Sequence, residues 1–192
     1  DEEQGQTKPF YLFIDEPEIC LHPKGQTKLF EALLEISKTK QVFLTTHSPY
    51  FLVTPHLNNV GLFIFRKDGI SNTVEDASLE KIFPWSPTWG EINFKAYKLP
   101  TVELHNELYG YLQDKSQKYG LGQFDSWLVD NGLSACKQWT EEKKGVVQQA
   151  RNVTLQTFIR NHIHHPENQT MQTSRFSEDE LTQSIDEMIK LL

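Results

Sequence analysis

Two short apolar runs of this chain end in groups that could do chemistry together. Phe10-Tyr11-Leu12-Phe13-Ile14 runs into Asp15-Glu16-Pro17-Glu18, and Gln41-Val42-Phe43-Leu44 runs into Thr45-Thr46-His47-Ser48-Pro49. At the carboxyl end of a strand, Asp15 is placed to hold Mg²⁺, directly or through water, and Glu16 to orient or deprotonate an attacking water. At the end of the neighbouring strand, His47 is placed to donate a hydrogen bond to a terminal phosphate. An Asp-Glu pair alone says little, because surface loops are full of them. An Asp-Glu closing one strand and a Thr-His-Ser closing the next is far more specific.

The elements that must position these residues are legible around them. Both runs are β-prone and continuously apolar, the pattern of strands buried on both faces. Between them Pro23 opens a helical stretch with Leu29, Phe30, Leu33, Leu34 and Ile36 on one broad face. Strand, helix and strand at this spacing form a βαβ unit with parallel strands. Open α/β sheets bind ligands at the carboxyl ends of such strands. Further on, Leu62-Phe63-Ile64-Phe65 and Ile70 to Val74 flank Lys67-Asp68-Gly69, which predicts a hairpin turning at Asp-Gly.

Leu12-Phe13-Ile14-Asp15-Glu16-Pro17-Glu18 resembles the Walker B strand of ABC-type ATPases, especially the bacterial AAA-superfamily ATPases of the OLD and SMC-like groups. Leu21-His22-Pro23 resembles their D-loop segment, and Thr46-His47-Ser48-Pro49 their switch histidine. The resemblance spans about residues 9–75. It implies the C-terminal lobe of an α/β P-loop NTPase of ABC type, with ATP and Mg²⁺ as cofactors. In that likeness Asp15 is the Mg²⁺ group, Glu16 the general base, and His47 the γ-phosphate sensor; Asp15 and His47 bind the nucleotide. Heads of this family pair around nucleotide, which implies a homodimer or higher oligomer. The bland alternative is that these strand-end residues have structural roles only. No Gly-x-x-x-x-Gly-Lys-Ser/Thr occurs in the chain, and the Ser-Gly-rich signature expected before Walker B is missing; Gly5 and Gln6 do not replace it. The chain begins at Asp1 directly before an apolar strand. It reads as the C-terminal part of a longer protein whose N-terminal part carries both motifs, so by itself it should bind and hydrolyse ATP poorly.

The patterns turn helical in the second half. Thr101 follows Pro100 and can cap a helix whose Leu104, Leu108, Tyr111 and Leu112 share a face. A second helix is expected from about Thr140 to Ile163. A third follows the capping box Ser177-Glu178-Asp179-Glu180, with Leu181, Ile185, Met188, Ile189 and Leu192 as its stripe. Arg160-Asn161-His162-Ile163-His164-His165-Pro166 is the most unusual stretch. A histidine near neutrality can activate a ribose 2′-OH and an arginine can stabilise the phosphorane-like transition state. The spacing resembles the signature of HEPN-type ribonucleases, which implies a site of Arg160, Asn161 and His165. Glu103, His105 or Glu107, on or beside the polar side of the 101–112 helix, would assist it. Two alternatives stay open: cations capping a helix end, and a metal site, for which His162, His164 and His165 lack a Cys or acidic ligand at matching spacing. Lys137, Lys143, Lys144 and Arg151 read as a solvated helical face, and Trp85, Trp89, Trp127 and Trp139 as core or interface residues.

The whole chain sets the frame. Its 192 residues carry 19 Lys and Arg against 26 Asp and Glu, a net charge of −7, which argues against a coat of positive charge for non-specific nucleic-acid binding. No apolar run approaches the roughly 18 residues that span a membrane. Cys20 and Cys136 are too few and too far apart for a disulfide scaffold and suit a reducing cytoplasm. The chain divides into the ATPase lobe at 1–80, a linker or packed loop at 81–100 marked by Pro84, Pro87 and Gly90, and a mostly α-helical effector or docking domain at 101–192. This layout resembles anti-phage defence ATPases, in which head dimerisation would control a ribonuclease in the tail. Two alternatives are a tail that recruits a separate nuclease, as in Septu-like systems, and an SMC-like DNA-repair ATPase. The nucleic acid, RNA or DNA, is left open.

Overall fold

The computed structural model describes residues 10–52, 60–77, 81–143 and 145–192; Gly5, Gln6 and Lys144 lie outside the described residues. The chain forms two compact units, residues 1–80 with 87–89, and residues 81–86 with 90–192. Among the described residues no helix is long and apolar enough to cross a membrane.

In the first unit, strand β1 (Tyr11–Ile14), helix α1 (Pro23–Ser37) and strand β2 (Gln41–Leu44) form the expected βαβ unit. The strands are parallel, in register from Tyr11 against Gln41 to Ile14 against Leu44. Pro23 opens α1, and the His22 side chain caps it by accepting from Lys24 N–H at 3.3 Å. Helix α1 buries Gln26, Phe30 and Leu33, and Phe30 meets Phe51 of the short α2 (Pro49–Leu52) edge-on, with ring centroids 5.3 Å apart. The strands are not buried on both faces, as the apolar runs suggested. Leu12, Ile14, Val42 and Leu44 are half-buried, whereas Phe13 is 73% exposed and Phe43 47%, their rings stacked 4.9 Å apart. Successive side chains point to opposite faces, and among the described residues only one face is covered.

Strands β3 (Phe63–Asp68) and β4 (Ser71–Asp76) form the hairpin, paired from Phe63 with Asp76 to Asp68 with Ser71. Its two-residue turn is Gly69-Ile70, one position beyond the expected Asp-Gly. Gly69 takes the left-handed φ of +58° that a tight turn needs and a side chain resists.

The second unit holds helices α3 (Trp89–Tyr97, from Gly90 onward), α4 (Val102–Ser116), α5 (Leu121–Asp130), α6 (Leu155–His164) and α7 (Glu178–Ile189). Leu104, Leu108 and Leu112 of α4, Phe124 and Leu128 of α5, Phe158 and Ile159 of α6, and Ile185 and Met188 of α7 share one core. Thr101 caps α4 by accepting from Leu104 N–H at 3.1 Å. The Ser177–Glu180 box closes reciprocally, at 3.2 Å and 3.0 Å.

Two expectations need correction. The stretch 81–100 is no simple linker: it contains α3, and Glu91 accepts from Ile82 N–H at 3.1 Å and pairs with Lys95 at 3.0 Å. The helix expected from about Thr140 begins only at Leu155, where Thr154 caps it by accepting from Thr157 N–H at 3.3 Å. Before it, β5 (Lys137–Trp139) pairs antiparallel with β8 (Arg151–Val153), and β6 (Glu142–Lys143) with β7 (Val146–Val147). Paired β-branched valines and a left-handed Gly145, at φ +76°, favour a hairpin over a helix here. Lys137 and Arg151 therefore sit on facing strands, not on one helical face.

Gly90 has its backbone against α4: a methyl group there would come within 2.8 Å of Leu104 Cβ and 2.9 Å of Leu104 N. Gly90→Ala should therefore destabilise the unit by about 1–3 kcal/mol. Gly110→Ala, which meets nothing within 4 Å, should be neutral or gain up to about 1 kcal/mol from helix propensity. Thermal unfolding of both variants against wild type checks the contrast.

Candidate functional site

The parallel register decides what stands at the carboxyl ends of β1 and β2. The ladder runs one step past the strands: Thr45 N–H donates to Ile14 O at 3.0 Å, and Glu16 N–H donates to Thr45 O and Oγ1, both at 3.2 Å. The Thr45 hydroxyl donates to Asp15 Oδ1 at 2.5 Å. His47 Nε2 lies 3.3 Å from Glu16 Oε1. Asp15, Glu16 and His47 thus share one rim. Glu16 sits at φ +43°, a left-handed conformation that a residue with a side chain adopts at a cost and that is found preferentially where function requires it. The His47 side chain is 84% exposed and that of Glu16 34%, so their pairing is screened by solvent and orients more than it stabilises.

Two residues absent from the sequence-derived site complete this arrangement. Glu18 is 6% exposed, and its Oε1 accepts the Thr46 hydroxyl and, at 3.1 Å, the His47 N–H. Ser48 N–H donates to Thr46 Oγ1 at 3.0 Å, the Ser48 hydroxyl donates to Gln26 Oε1 at 2.6 Å, and Gln26 Nε2 donates to Leu21 O at 3.1 Å. A signal for Gln26 was present: it falls four and seven residues before Phe30 and Leu33, on the buried stripe of α1. Glu18 had no comparable periodic signal, since it lies in a turn.

The donor set fits an ion shared with a substrate. Among the described residues no group of three or more His, Cys, Asp or Glu could hold a metal by itself. Mg²⁺ is commonly held by one or two carboxylates, with phosphate oxygens and waters filling the rest. Asp15, exposed and oriented by the Thr45 hydroxyl, suits that role.

In the second unit the sequence-derived cluster is partly assembled, with Arg160 bonded to Asn161, His165 bonded back to Asn161, and Arg160 and His165 both close enough to act on His164. Arg160, on α6, donates through Nη1 to Asn161 Oδ1 at 3.3 Å, and Asn161 is buried. His165 stands at the C-cap with φ −128° and ψ +58°, out of helical geometry as Pro166 demands. Its N–H donates to Asn161 O at 2.9 Å and its Nδ1 lies 3.2 Å from Glu167 Oε1. His165 borders a cavity of about 230 Å³ with His162, Asn168, Met171 and Arg175, and neither Arg160 nor Asn161 lines it. His162 is a core residue: Nδ1 lies 3.0 Å from Phe158 O and Nε2 3.3 Å from Met171 O, with Trp139, Phe158 and Phe176 around the ring.

The expected helpers differ in burial. Glu103 is exposed and Glu107 half-buried, but His105 is wholly buried, contrary to the polar side assigned to it. It sits one residue after Leu104 on the face of α4 that meets α7, where Nε2 lies 3.1 Å from Ser184 Oγ. Burial first, and His164 second, push its pKa down to about 3. Burial likewise raises Tyr109, whose hydroxyl is 3.1 Å from Thr157 Oγ1, to about 12.

Residues 1–52 match the family model of an AAA ATPase domain, a span that includes β1, α1, β2 and all of Asp15, Glu16, Glu18 and His47. The match supports an ATPase of the AAA superfamily over that part of the chain. No curated protein and no solved structure matches the chain.

The depressed His105 sets a pH dependence. In the unfolded chain His105 takes up a proton near the ordinary value of 6.5, whereas in the folded protein it stays neutral to about 3. The unfolded state therefore binds more protons between these values. The contribution is full above 6.5 and is lost as pH falls toward 3, at up to about 1.4 kcal/mol per pH unit. His164, exposed but held below its ordinary value by partial desolvation and by the Arg160 and His165 charges, acts weakly in the same direction, as does Glu180, held low by Lys137, at more acid pH. The thermal midpoint should fall steadily from about pH 7 to about pH 4, and less steeply in His105→Gln. Equal slopes in the two proteins would contradict this assignment.

Proposed function

We propose, with the AAA ATPase match over residues 1–52 as the premise, that the first unit supplies the ion-binding, water-activating and phosphate-sensing groups of an ABC-type ATP hydrolysis site. The observation that carries this is the rim itself, where the Thr45 hydroxyl orients Asp15 at 2.5 Å and His47 Nε2 meets Glu16 at 3.3 Å. Mg²⁺, when bound, neutralises charge on the β- and γ-phosphates. Asp15 would hold that ion. Glu16 takes the proton of the attacking water, and His47, within reach of the same carboxylate, donates to the γ-phosphate and reports its presence. The 192 residues contain no phosphate loop, so this site works only with one supplied by further polypeptide, in heads that pair as a homodimer or higher oligomer. The protein acts in the cytoplasm.

In protein that combines these residues with a phosphate loop, Glu16→Gln should lower kcat by at least about 100-fold with KM little changed. Asp15→Asn should raise the Mg²⁺ concentration needed for half-maximal rate. A steady-state ATPase assay reads both, and Glu16→Gln with wild-type kcat would overturn the role of Glu16.

For the helical unit we infer a docking module that recruits a separate nuclease, as in Septu-like defence systems, in preference to a HEPN-type ribonuclease. The observation favouring it is that Arg160 and Asn161 do not line the cavity that His165 borders. Purified protein should leave RNA intact, and Arg160→Ala and His165→Ala should change nothing in that assay. Cleavage by wild type that either substitution abolishes, with the fold preserved by circular dichroism, would restore the ribonuclease.

A further inference from the structure

We infer that Glu18 is a positioning residue that holds His47 at the rim, and that Gln26 supports it from α1. Its bearing on hydrolysis rests on the ATPase reading above; its effect on His47 does not.

His47 lies beyond the end of β2, where no ladder or helix holds its backbone. Its N–H is taken up by the Glu18 carboxylate at 3.1 Å, and the same oxygen receives the Thr46 hydroxyl. Bonds to a carboxylate are roughly twice as strong as neutral ones, and burial protects them from competing water. Glu18 thus grips the residues on both sides of one peptide and fixes where the imidazole begins. Two observations speak for a purpose beyond holding the fold. Glu18 Oε2 is buried and, among the described residues, has no hydrogen-bond partner, a costly state that an apolar or fully satisfied side chain would avoid. Moreover, the bonds continue away from the rim: Glu18 to Thr46, Thr46 to Ser48, Ser48 to Gln26, and Gln26 to the carbonyl of Leu21. The turn after β1 and the start of α1 are thereby tied to the loop that presents His47. Gln26 has no bond to Glu16 or to His47, yet its loss removes the anchor of Ser48.

The test uses nuclear magnetic resonance on the 192-residue chain at one fixed pH. It follows exchange of the His47 amide proton and the shift of the His47 imidazole resonances caused by Glu16→Gln. In wild type, Glu16→Gln should move the imidazole resonances, because the two groups touch. In Glu18→Ala, His47 amide exchange should rise about tenfold or more, and most of the response to Glu16→Gln should vanish. Glu18→Gln keeps an acceptor oxygen and should restore most of both. Gln26→Leu, which touches neither partner, should give a smaller change of the same kind. It also provides the decisive measurement if Glu18→Ala fails to fold. Unaltered amide exchange together with an unaltered response to Glu16→Gln, in a folded Glu18→Ala or Gln26→Leu protein, would overturn the inference. Because no nucleotide enters the measurement, an intact Glu18 effect beside an ATPase indifferent to Glu16→Gln would remove the hydrolysis reading and leave this one standing.

Discussion

The pairing of two parallel strands in one register is the constraint on which the candidate site depends. Ile14 opposite Leu44 makes the next residues of both strands neighbours, and the ladder continues through Thr45 N–H to Ile14 O at 3.0 Å. A shift of one residue would exchange the two faces of each strand and carry the Thr45 hydroxyl away from Asp15. Carboxylates and imidazole are therefore brought together first by the backbone ladder, with the His47–Glu16 pair at 3.3 Å as a secondary contact. The backbone sets the distances, and the exposed His47–Glu16 contact refines them.

Buried polar groups do different work in the two units. In the first they converge on one loop, since Glu18, Thr46, Ser48 and Gln26 form a single chain of bonds. In the second they join helices: His105 meets Ser184 across α4 and α7, Tyr109 meets Thr157 across α4 and α6, and Gln156 donates to Glu187 at 2.7 Å across α6 and α7. Hydrophobic packing alone permits helices to slide by a turn; specific polar pairs in the seams restrict such alternatives. The histidines that looked most chemical in the sequence are partly used in this way.

What the sequence made legible was whatever strand order and local spacing control. The shared rim of Asp15, Glu16 and His47 could be anticipated because all three lie within three residues of the end of a short strand-forming run. The caps at Thr101 and Ser177 could be read because a cap is a local event. Glu18 escaped as a positioning group because its partners are 28 and 29 residues away. Helix α5 escaped although Phe124, Trp127 and Leu128 have helical spacing, because Gly120 at its start offers no side-chain cap. The stretch before α6 departs from the helix expected from about Thr140 because Gly145 turns the chain and Val146 and Val147 pair across to Lys143 and Glu142, contacts that local spacing does not report. Neighbouring rings also misled. Residues on a helix turn by about 100° each, so His162 enters the core while His164 is exposed and His165 already lies past the last turn.

The stacked rings of Phe13 and Phe43 bear on how the molecule behaves in solution. They lie on a face of β1 and β2 that the described residues leave open, flanked by the exposed ring of Tyr11. Two such faces from separate molecules gain apolar burial by meeting. Solubility should consequently be limited at this patch before net charge limits it, and polar replacements at Phe13 or Phe43 are the rational route to concentrated, monodisperse samples. Both residues point away from the half-buried face formed by Leu12, Ile14, Val42 and Leu44, so such changes leave that packing intact.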